Sequence, residues 1–583
     1  MSGRAAGAAP APAIERPGTH AMYWADELAS TVEGPQVVND SKTPSGTVHV
    51  GSLRGPVILD VISRALRDRG VPTTLLYGVD DMDPMDAQAL LTPDAVAREM
   101  GRPLSQVPDQ VGDCHPSYAR HHAGIFIDIF AGLGIRPDRY YWMSEIYPTG
   151  QMDPFIRTAL DRAEIVRDLY RRVSKVERPA GWLPISIVCP ACGRVGTTLA
   201  RDWDGATVGF ECLPDYVTWA TGCGTAGRIT PFGGAAKLPW NLEWAAQWSL
   251  LGVTIEPCGK DLATAGGSRD RSDGLAREVF DREPPRNLAY EFLNIGGRKM
   301  STSKGRGAAA HEIVEVVPPE QLRLLFLRPR PNQAIEFDPD GTDAIPRVFD
   351  EFDRLAGAAA GVEVKGELPA DADRIFRYAL LDPAADVAAE AARYRPAFSH
   401  LALLAQIPGT DVAARVAAEK GSALTDEERA ILGLRLAAVR GWLEAYAPER
   451  ARIEIQRGGL PAEAAALGED QRAWLGAFAR AAEAAPPSSG NGWQALIFEI
   501  ASAAALPAGR AFGALYVAFL GRTNGPRAGW LLASLEPAFV VERLRAAAGW
   551  RHHPDSEPGG TGISGGPDEP GGPATHDTAE AER

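Results

Sequence analysis

Four consecutive segments near the start of the chain constrain its fold more than anything else in it. Gln36–Asp40, QVVND, reads as a buried strand, and SKTPSGTVHVGS after it as a loop. LRGPVILDVISRALRDRG then reads as a helix. Leu53, Val57, Val61, Ala65 and Leu66 share one face, and Gly70 suits the C-cap. TTLLYG reads as a second strand. A strand, a crossover helix and a strand imply a parallel sheet with a right-handed connection. Such sheets bind ligands beyond the carboxyl ends of their strands. The loop before the helix and VDDMDP (Val79–Pro84) both fall at that edge.

The chain has 583 residues, room for two to four domains, and is 45% hydrophobic, enough for a large core. No run of eighteen apolar residues predicts a membrane span, and the first twenty residues carry no secretory pattern. Six cysteines in this length do not make a disulfide scaffold, so the expectation is a cytoplasmic protein with reduced thiols. A net charge of −15 argues against coating nucleic acid by bulk positive charge and leaves room for a local basic groove. Residues 1–18, rich in Ala, Pro and Gly, and residues 551–583, polar and Gly/Pro-rich, read as disordered tails. From about Asp350, Ala/Leu/Arg-rich stretches with helical periodicity replace the strand signals, so the last third reads as a helical domain.

Two loops carry the chemistry. In Thr43–Ser52, TPSGTVHVGS, Gly46 and Gly51 let the backbone approach a ligand, and His49 precedes a helix whose free amides favour negative charge. An ordinary strand-to-helix turn would look the same. In GGRKMSTSKGRG, Lys299 and Lys304 bracket Met300, Ser301, Thr302 and Ser303, a composition suited to closing on a polyphosphate. A solvated surface loop would also look so. The cysteines give a third signal. Cys189 and Cys192 form Cys-x-x-Cys, with Cys212 and Cys223 following inside a compact stretch, which predicts a structural Zn²⁺ site. The second pair is spaced more widely than in a zinc ribbon. Cys114 and Cys258 are isolated and read as core or neutral residues.

Taken together, His-x-Gly opening the first strand–helix unit and KMSTSK far downstream resemble the two signatures of class I aminoacyl-tRNA synthetases. The match continues in TPSGTVHVGSLRG, DDMDP, PDQVGDCHPSYARHH, GKDLATAGGS, YEFLNIGGRKMSTSKG and ALYVAFLGRTNGPRAG, which together resemble class I (archaeal-type) lysyl-tRNA synthetase over about residues 20–545. That resemblance implies an α/β Rossmann-type catalytic domain with an inserted zinc-bearing acceptor-stem subdomain, followed by an all-α anticodon-binding domain. The corresponding boundaries are 19–150 and 236–345 for the catalytic halves, 151–235 for the insert and 346–550 for the helical domain. It implies ATP with Mg²⁺, L-lysine and lysine tRNA as substrates; no membrane partner is expected, and of the oligomeric states, which the sequence does not fix, a monomer is favoured. By the resemblance, Gly46, His49, Gly51, Ser52, Lys299, Met300, Ser301, Ser303 and Lys304 hold ATP, with His49, Lys299 and Lys304 catalytic.

Lysine carries two ammonium groups and needs carboxylates and an aromatic wall. Asp80, Asp81 and Asp83 stand at a strand end facing the site, with one of the three expected to cap the next helix instead. Trp240 and Tyr290 align with aromatic positions of the family pocket, and Glu243 is a further candidate. The basic-rich Arg157–Trp182 segment suits either acceptor-stem phosphates or a solvated helix. Two departures stand out: Leu262 where many members have histidine, and Ser52 where the first signature usually ends in asparagine or histidine. A glutamyl- or glutaminyl-type synthetase, a non-charging paralogue that binds RNA and a general nucleotidyl transferase are the competing readings.

Overall fold

Strand β1 (Gln36–Lys42) runs two residues beyond its expected end and pairs in parallel with β2 (Thr73–Val79). Strand β3 (Arg139–Trp142) adds in parallel on the far side of β2. The computed structural model describes residues 22–86, 91–110, 114–295, 298–299 and 310–549. Both expected tails, 1–18 and 551–583, lie outside the described residues.

On the free edge of β1, Val38 bridges Ile255 in parallel and Ile255 bridges Arg286. The same two segments continue as β9 (Cys258–Gly259) and β10 (Ala289–Tyr290), again parallel. The spatial order is therefore β3, β2, β1, the 255–259 segment, then the 286–290 segment. The chain reverses direction of travel across the sheet beside β1, which opens a crevice at the strands' carboxyl ends.

Helix α1 (Trp24–Ala29) packs beside α2 (Arg54–Asp68), the crossover between β1 and β2. Residues Arg54 to Leu66 of α2 are all buried, so this helix is covered on every side. Its three charged residues in that stretch are matched. Asp60 takes Arg64 at 2.8 Å and Arg323 at 2.6 Å. Arg54 donates to the carbonyls of Glu291 at 2.6 Å and Gln333 at 2.8 Å, with Arg330 and Pro331 near 3.3 Å. Gly70 closes the helix at φ 75°, a left-handed position favouring glycine.

Helices α3 (Pro93–Glu99) and α4 (Tyr118–Gly132) follow β2. Beyond β3 come α5 (Met143–Ile146), α6 (Asp153–Asp161) and α7 (Ala163–Ser174). An antiparallel insert then begins. Strand β4 (Ser186–Ile187) pairs with β8 (Ala236–Lys237), which form its root. Between them, β5 (Thr198–Arg201), β6 (Val208–Cys212) and β7 (Ala226–Ile229) make a three-stranded antiparallel sheet. Helices α8 (Trp240–Leu251) and α9 (Ser268–Glu278) return the chain to the parallel sheet.

A small mixed sheet closes this part: β11 (Leu293–Ile295) pairs antiparallel with β12 (Arg298–Lys299) and parallel with β13 (Ile335–Glu336). From Ala344 onward the described residues form helices and no strands. The compact units divide between Ile453 and Glu454. Helices Ala344–Ala359, Ala372–Ala379, Phe398–Leu404 and Asp426–Gly441 share one apolar core with α2, through Phe349, Phe376, Phe398 and Val439. The second unit is a helical bundle of its own. Its core holds Trp474 stacked on Phe478 at 5.2 Å, with Trp493 edge-on to Phe478 at 6.0 Å.

Candidate functional site: a polar cleft at the carboxyl edge of the sheet

A cavity of about 390 Å³ opens where the crevice lies. The loop after β1 supplies one wall. Gly46 takes φ 148°, and His49 stands immediately before a turn of 3-10 helix, Val50–Leu53, that runs into α2. Ser52 N–H donates to the His49 carbonyl at 3.0 Å, and Tyr118 holds the loop by donating to the Ser45 carbonyl at 3.1 Å. His49, Gly51 and Ser52 line the cavity. Opposite, Gly55 leaves no space for a side chain. A Cβ there would stand 2.9 Å from Asp40 Oδ2 and 2.9 Å from the Tyr290 hydroxyl.

The aromatic candidates Trp240 and Tyr290 both face the cavity, as does Leu262. Trp240 stacks on Trp244 at 5.4 Å. The four acidic candidates separate. Asp80 lines the cavity, held by Gln247 Nε2 and Ser41 Oγ, each donating at 2.8 Å. Burial, then the nearby Asp83 carboxylate, pushes its pKa up to about 6. Asp81 turns away and accepts from the Ser144 amide at 2.8 Å and from the Ser144 hydroxyl, capping α5. Asp83 pairs with Lys237 at 2.9 Å and accepts from Thr43 Oγ1 at 2.6 Å. Glu243 pairs with Lys237 at 3.1 Å and accepts from the Tyr147 hydroxyl. Burial raises its pKa to about 7.

Four further charged residues line the cavity that sequence reasoning passed over: Asp40, Lys42, Glu256 and Asp261. Burial, then the Glu256 carboxylate, lifts Asp40 to about 8. Burial lowers Lys42, against the opposing pull of Asp40 and Asp261. Glu256 is 1% exposed; Trp248 Nε1 donates to it at 2.7 Å, Asn39 Nδ2 at 3.0 Å, and Trp244 Nε1 to its other oxygen. Asp40 and Lys42 were visible in principle. Alternation places them on one face of β1, and charges at the carboxyl end of a buried parallel strand have little other use. Of the second signature loop, the Lys299 backbone pairs with Asn294 in β12. Met300, Ser301, Ser303 and Lys304 lie outside the described residues.

The insert gathers its four cysteines at one point. The sulfurs of Cys189, Cys192, Cys212 and Cys223 all lie within 4.8 Å of one another, with Cys189–Cys223 at 3.6 Å and Cys192–Cys212 at 3.7 Å. Four thiolates around tetrahedral zinc at a bond length of about 2.3 Å stand about 3.8 Å apart, so the donor set fits that ion. The wide spacing of the second pair is explained by the β6–β7 hairpin. Its connection folds back so that Cys223 N–H donates to Cys212 Sγ at 3.3 Å.

Cys114, read as a core or neutral residue, is exposed and sits in a second donor cluster. Its sulfur lies 3.0 Å from His115 Nδ1, 3.2 Å from His121 Nδ1 and 3.4 Å from Asp109 Oδ2. Asp-x4-Cys-His-x5-His was the readable signal, and one thiol, two imidazoles and a carboxylate are a donor set that suits zinc.

The cleft, its phosphate-type loop and the parallel strands meet in a known grouping. The model of the family described as "tRNA synthetases class I (K)" matches residues 22–381. A lysine–tRNA ligase of Methanosarcina barkeri is 32% identical over 549 residues, covering 91% of this chain and 98% of that protein. One from Archaeoglobus fulgidus is 32% identical over 539 residues, 90% of this chain and 100% of the relative. This chain belongs to the class I aminoacyl-tRNA synthetases. Within them it is a member of the archaeal-type lysyl family that the letter K designates.

Proposed function

We propose that the chain is a lysine–tRNA ligase: it activates L-lysine with ATP to lysyl-adenylate and transfers the lysyl group to the 3′ end of lysine tRNA. One observation carries this reading. The cleft joins a glycine- and histidine-bearing loop at a helix start to a floor of carboxylates and a wall of aromatic rings, in a chain that matches lysine–tRNA ligases along nine-tenths of its length. A glutamyl- or glutaminyl-type substrate is disfavoured because Asp80 and Glu256, when ionised, would repel a carboxylate or leave an amide without its partners.

In the first step the lysine carboxylate attacks the α-phosphorus of ATP and pyrophosphate leaves. No covalent enzyme intermediate is required, so the work is positioning and charge stabilisation. His49, with the amides around Gly51 and Ser52 and the open backbone of Gly46, takes the α-phosphate region. Lys299 and Lys304, with Met300, Ser301 and Ser303 between them, take the departing pyrophosphate. Mg²⁺ arrives with ATP and is held by its phosphates. Asp80 and Glu256 face the ammonium groups of lysine, with Trp240 and Tyr290 along its stem. Asp81, Asp83 and Glu243 support these groups from behind.

The sheet order supports a Rossmann-type domain, and residues 151–235 are read as an acceptor-stem insert on a structural zinc held by Cys189, Cys192, Cys212 and Cys223. The cluster of Asp109, Cys114, His115 and His121 offers a second metal position. The helical C-terminal region, beginning near residue 346, is assigned to anticodon reading, by stacking and edge hydrogen bonds to unpaired bases. The enzyme is read as cytoplasmic, with a monomer favoured. ATP–pyrophosphate exchange with each amino acid, with and without tRNA, tests the reading. Lysine-dependent exchange supports it, exchange with glutamate or glutamine moves it to the neighbouring specificity, and no exchange points to a non-charging paralogue.

A further inference from the structure

Lys237 ends β8, at the root of the insert, and is 4% exposed. Its ammonium contacts Asp83 Oδ1 at 2.9 Å, Glu243 Oε2 at 3.1 Å and the Leu238 carbonyl at 3.1 Å. Burial works against its charge, but the two carboxylates outweigh it and keep the ammonium's pKa above its usual value. None of the three side chains lines the cleft. Each carboxylate nevertheless reaches the cleft through one neighbour. Asp83 accepts from Thr43 Oγ1 at 2.6 Å, and Thr43 belongs to the wall that leads to His49. Glu243 lies one helical turn after Trp240 in α8, and Gln247, one turn further, donates to Asp80 at 2.8 Å. A buried cation held by two carboxylates has one acceptable arrangement, because displacing either partner strands a charge in a low dielectric.

We propose that Lys237 is a positioning residue for both substrates: through Asp83 and Thr43 it sets the phosphate-binding loop, through Glu243 it sets the α8 wall carrying Trp240, and so it couples ATP binding to lysine binding. This rests on the lysine–ATP reading above. The coupling runs from loop to wall through one ammonium, so each substrate, by fixing its own side, prepares the other. It also places the root of the insert in the same network, since β8 pairs with β4 just ahead of Cys189.

The experiment is equilibrium binding of α,β-methylene-ATP, with and without saturating L-lysine, in the presence of lysine tRNA transcript. In the unaltered enzyme lysine tightens nucleotide binding about tenfold, a common size for site-to-site coupling. Lys237→Met and Asp83→Asn, checked for cooperative melting, bring that factor to about one, and Lys237→Met still binds each ligand alone. Thr43→Val cuts the link without removing a buried charge and loses the coupling, and Thr43→Ser restores it. Absence of coupling in the unaltered enzyme, or coupling that survives in folded Lys237→Met or in Thr43→Val, overturns the proposal. Should the two charge variants fail to fold, the Thr43 pair decides alone. Lysine-dependent pyrophosphate exchange by the unaltered enzyme, run alongside, separates a failure of this coupling from a failure of the lysine–ATP reading.

Discussion

The sulfurs of Cys189 and Cys223 stand 3.6 Å apart although 34 positions separate them in the chain. A small antiparallel insert with three short strands buries little apolar surface of its own, so a shared ion is the economical way to hold that distance. Metal analysis of the purified protein should return zinc. Cys189→Ser with Cys192→Ser should remove one equivalent and expose the insert to proteolysis. Full zinc content in the double variant would exclude this cluster as the site.

Lys304 would meet negative charge only as pyrophosphate departs. Lys304→Ala should therefore leave the melting temperature unchanged and slow adenylation by about a hundredfold, on the order of 3 kcal/mol of lost transition-state contact. Single-turnover adenylate formation measures it, and unchanged kinetics would remove Lys304 from the reaction.

A pH profile follows from the cleft's carboxylates. Burial raises Asp80 to about 6 and Glu256 to about 7. Both must be ionised to hold an ammonium group, so kcat/KM for lysine should rise with pH between about 5 and 8 and then level off. The stability sign is opposite. Their folded values lie above the unfolded range of about 4, so the folded state binds more protons. Their contribution is present below that range and is lost as pH rises toward 7. Bound lysine should reverse that loss, which thermal melts across pH with and without lysine will detect.

Lysine activation should require tRNA. The segment GGRKMSTSKGRG is rich in glycine and serine, and ordering chain of that composition costs roughly 1 kcal/mol per residue. Contacts from a bound tRNA 3′ end would offset that cost and select the closed state. Exchange with lysine is to be run first without RNA and then with lysine tRNA transcript. Strong exchange in the RNA-free reaction would show a pocket already assembled.

The β1–α2–β2 unit was legible because its signals are local. Helical spacing, Gly70 and two short apolar strands all agree, and a parallel pair can be joined only by such a crossover. The site was legible in part. Asp80 could be placed at a strand end from DDMDP, but the number of aspartates there said nothing about which of them turns inward. Asp81 is taken by Ser144, 63 positions away, and Asp83 by Lys237. Glu256 was beyond reach for a related reason. Its meaning comes from Asn39, 217 positions distant, and from two indoles one turn apart on α8. Packing of that range leaves no periodic trace. The helical region showed its class in its periodicity but not its division at Glu454, because apolar faces do not declare which core they will join.

Arg54 has a consequence for how the segment that carries the second loop is anchored. Its guanidinium gathers the carbonyls of Glu291 and Gln333, one from each side of the segment that carries KMSTSK. Strands β11 and β13 pair next to these points, Leu293 against Ile335. The two ends of that segment are thus riveted to a single side chain. Lysine in place of Arg54 would keep the charge and lose the fork that joins both ends.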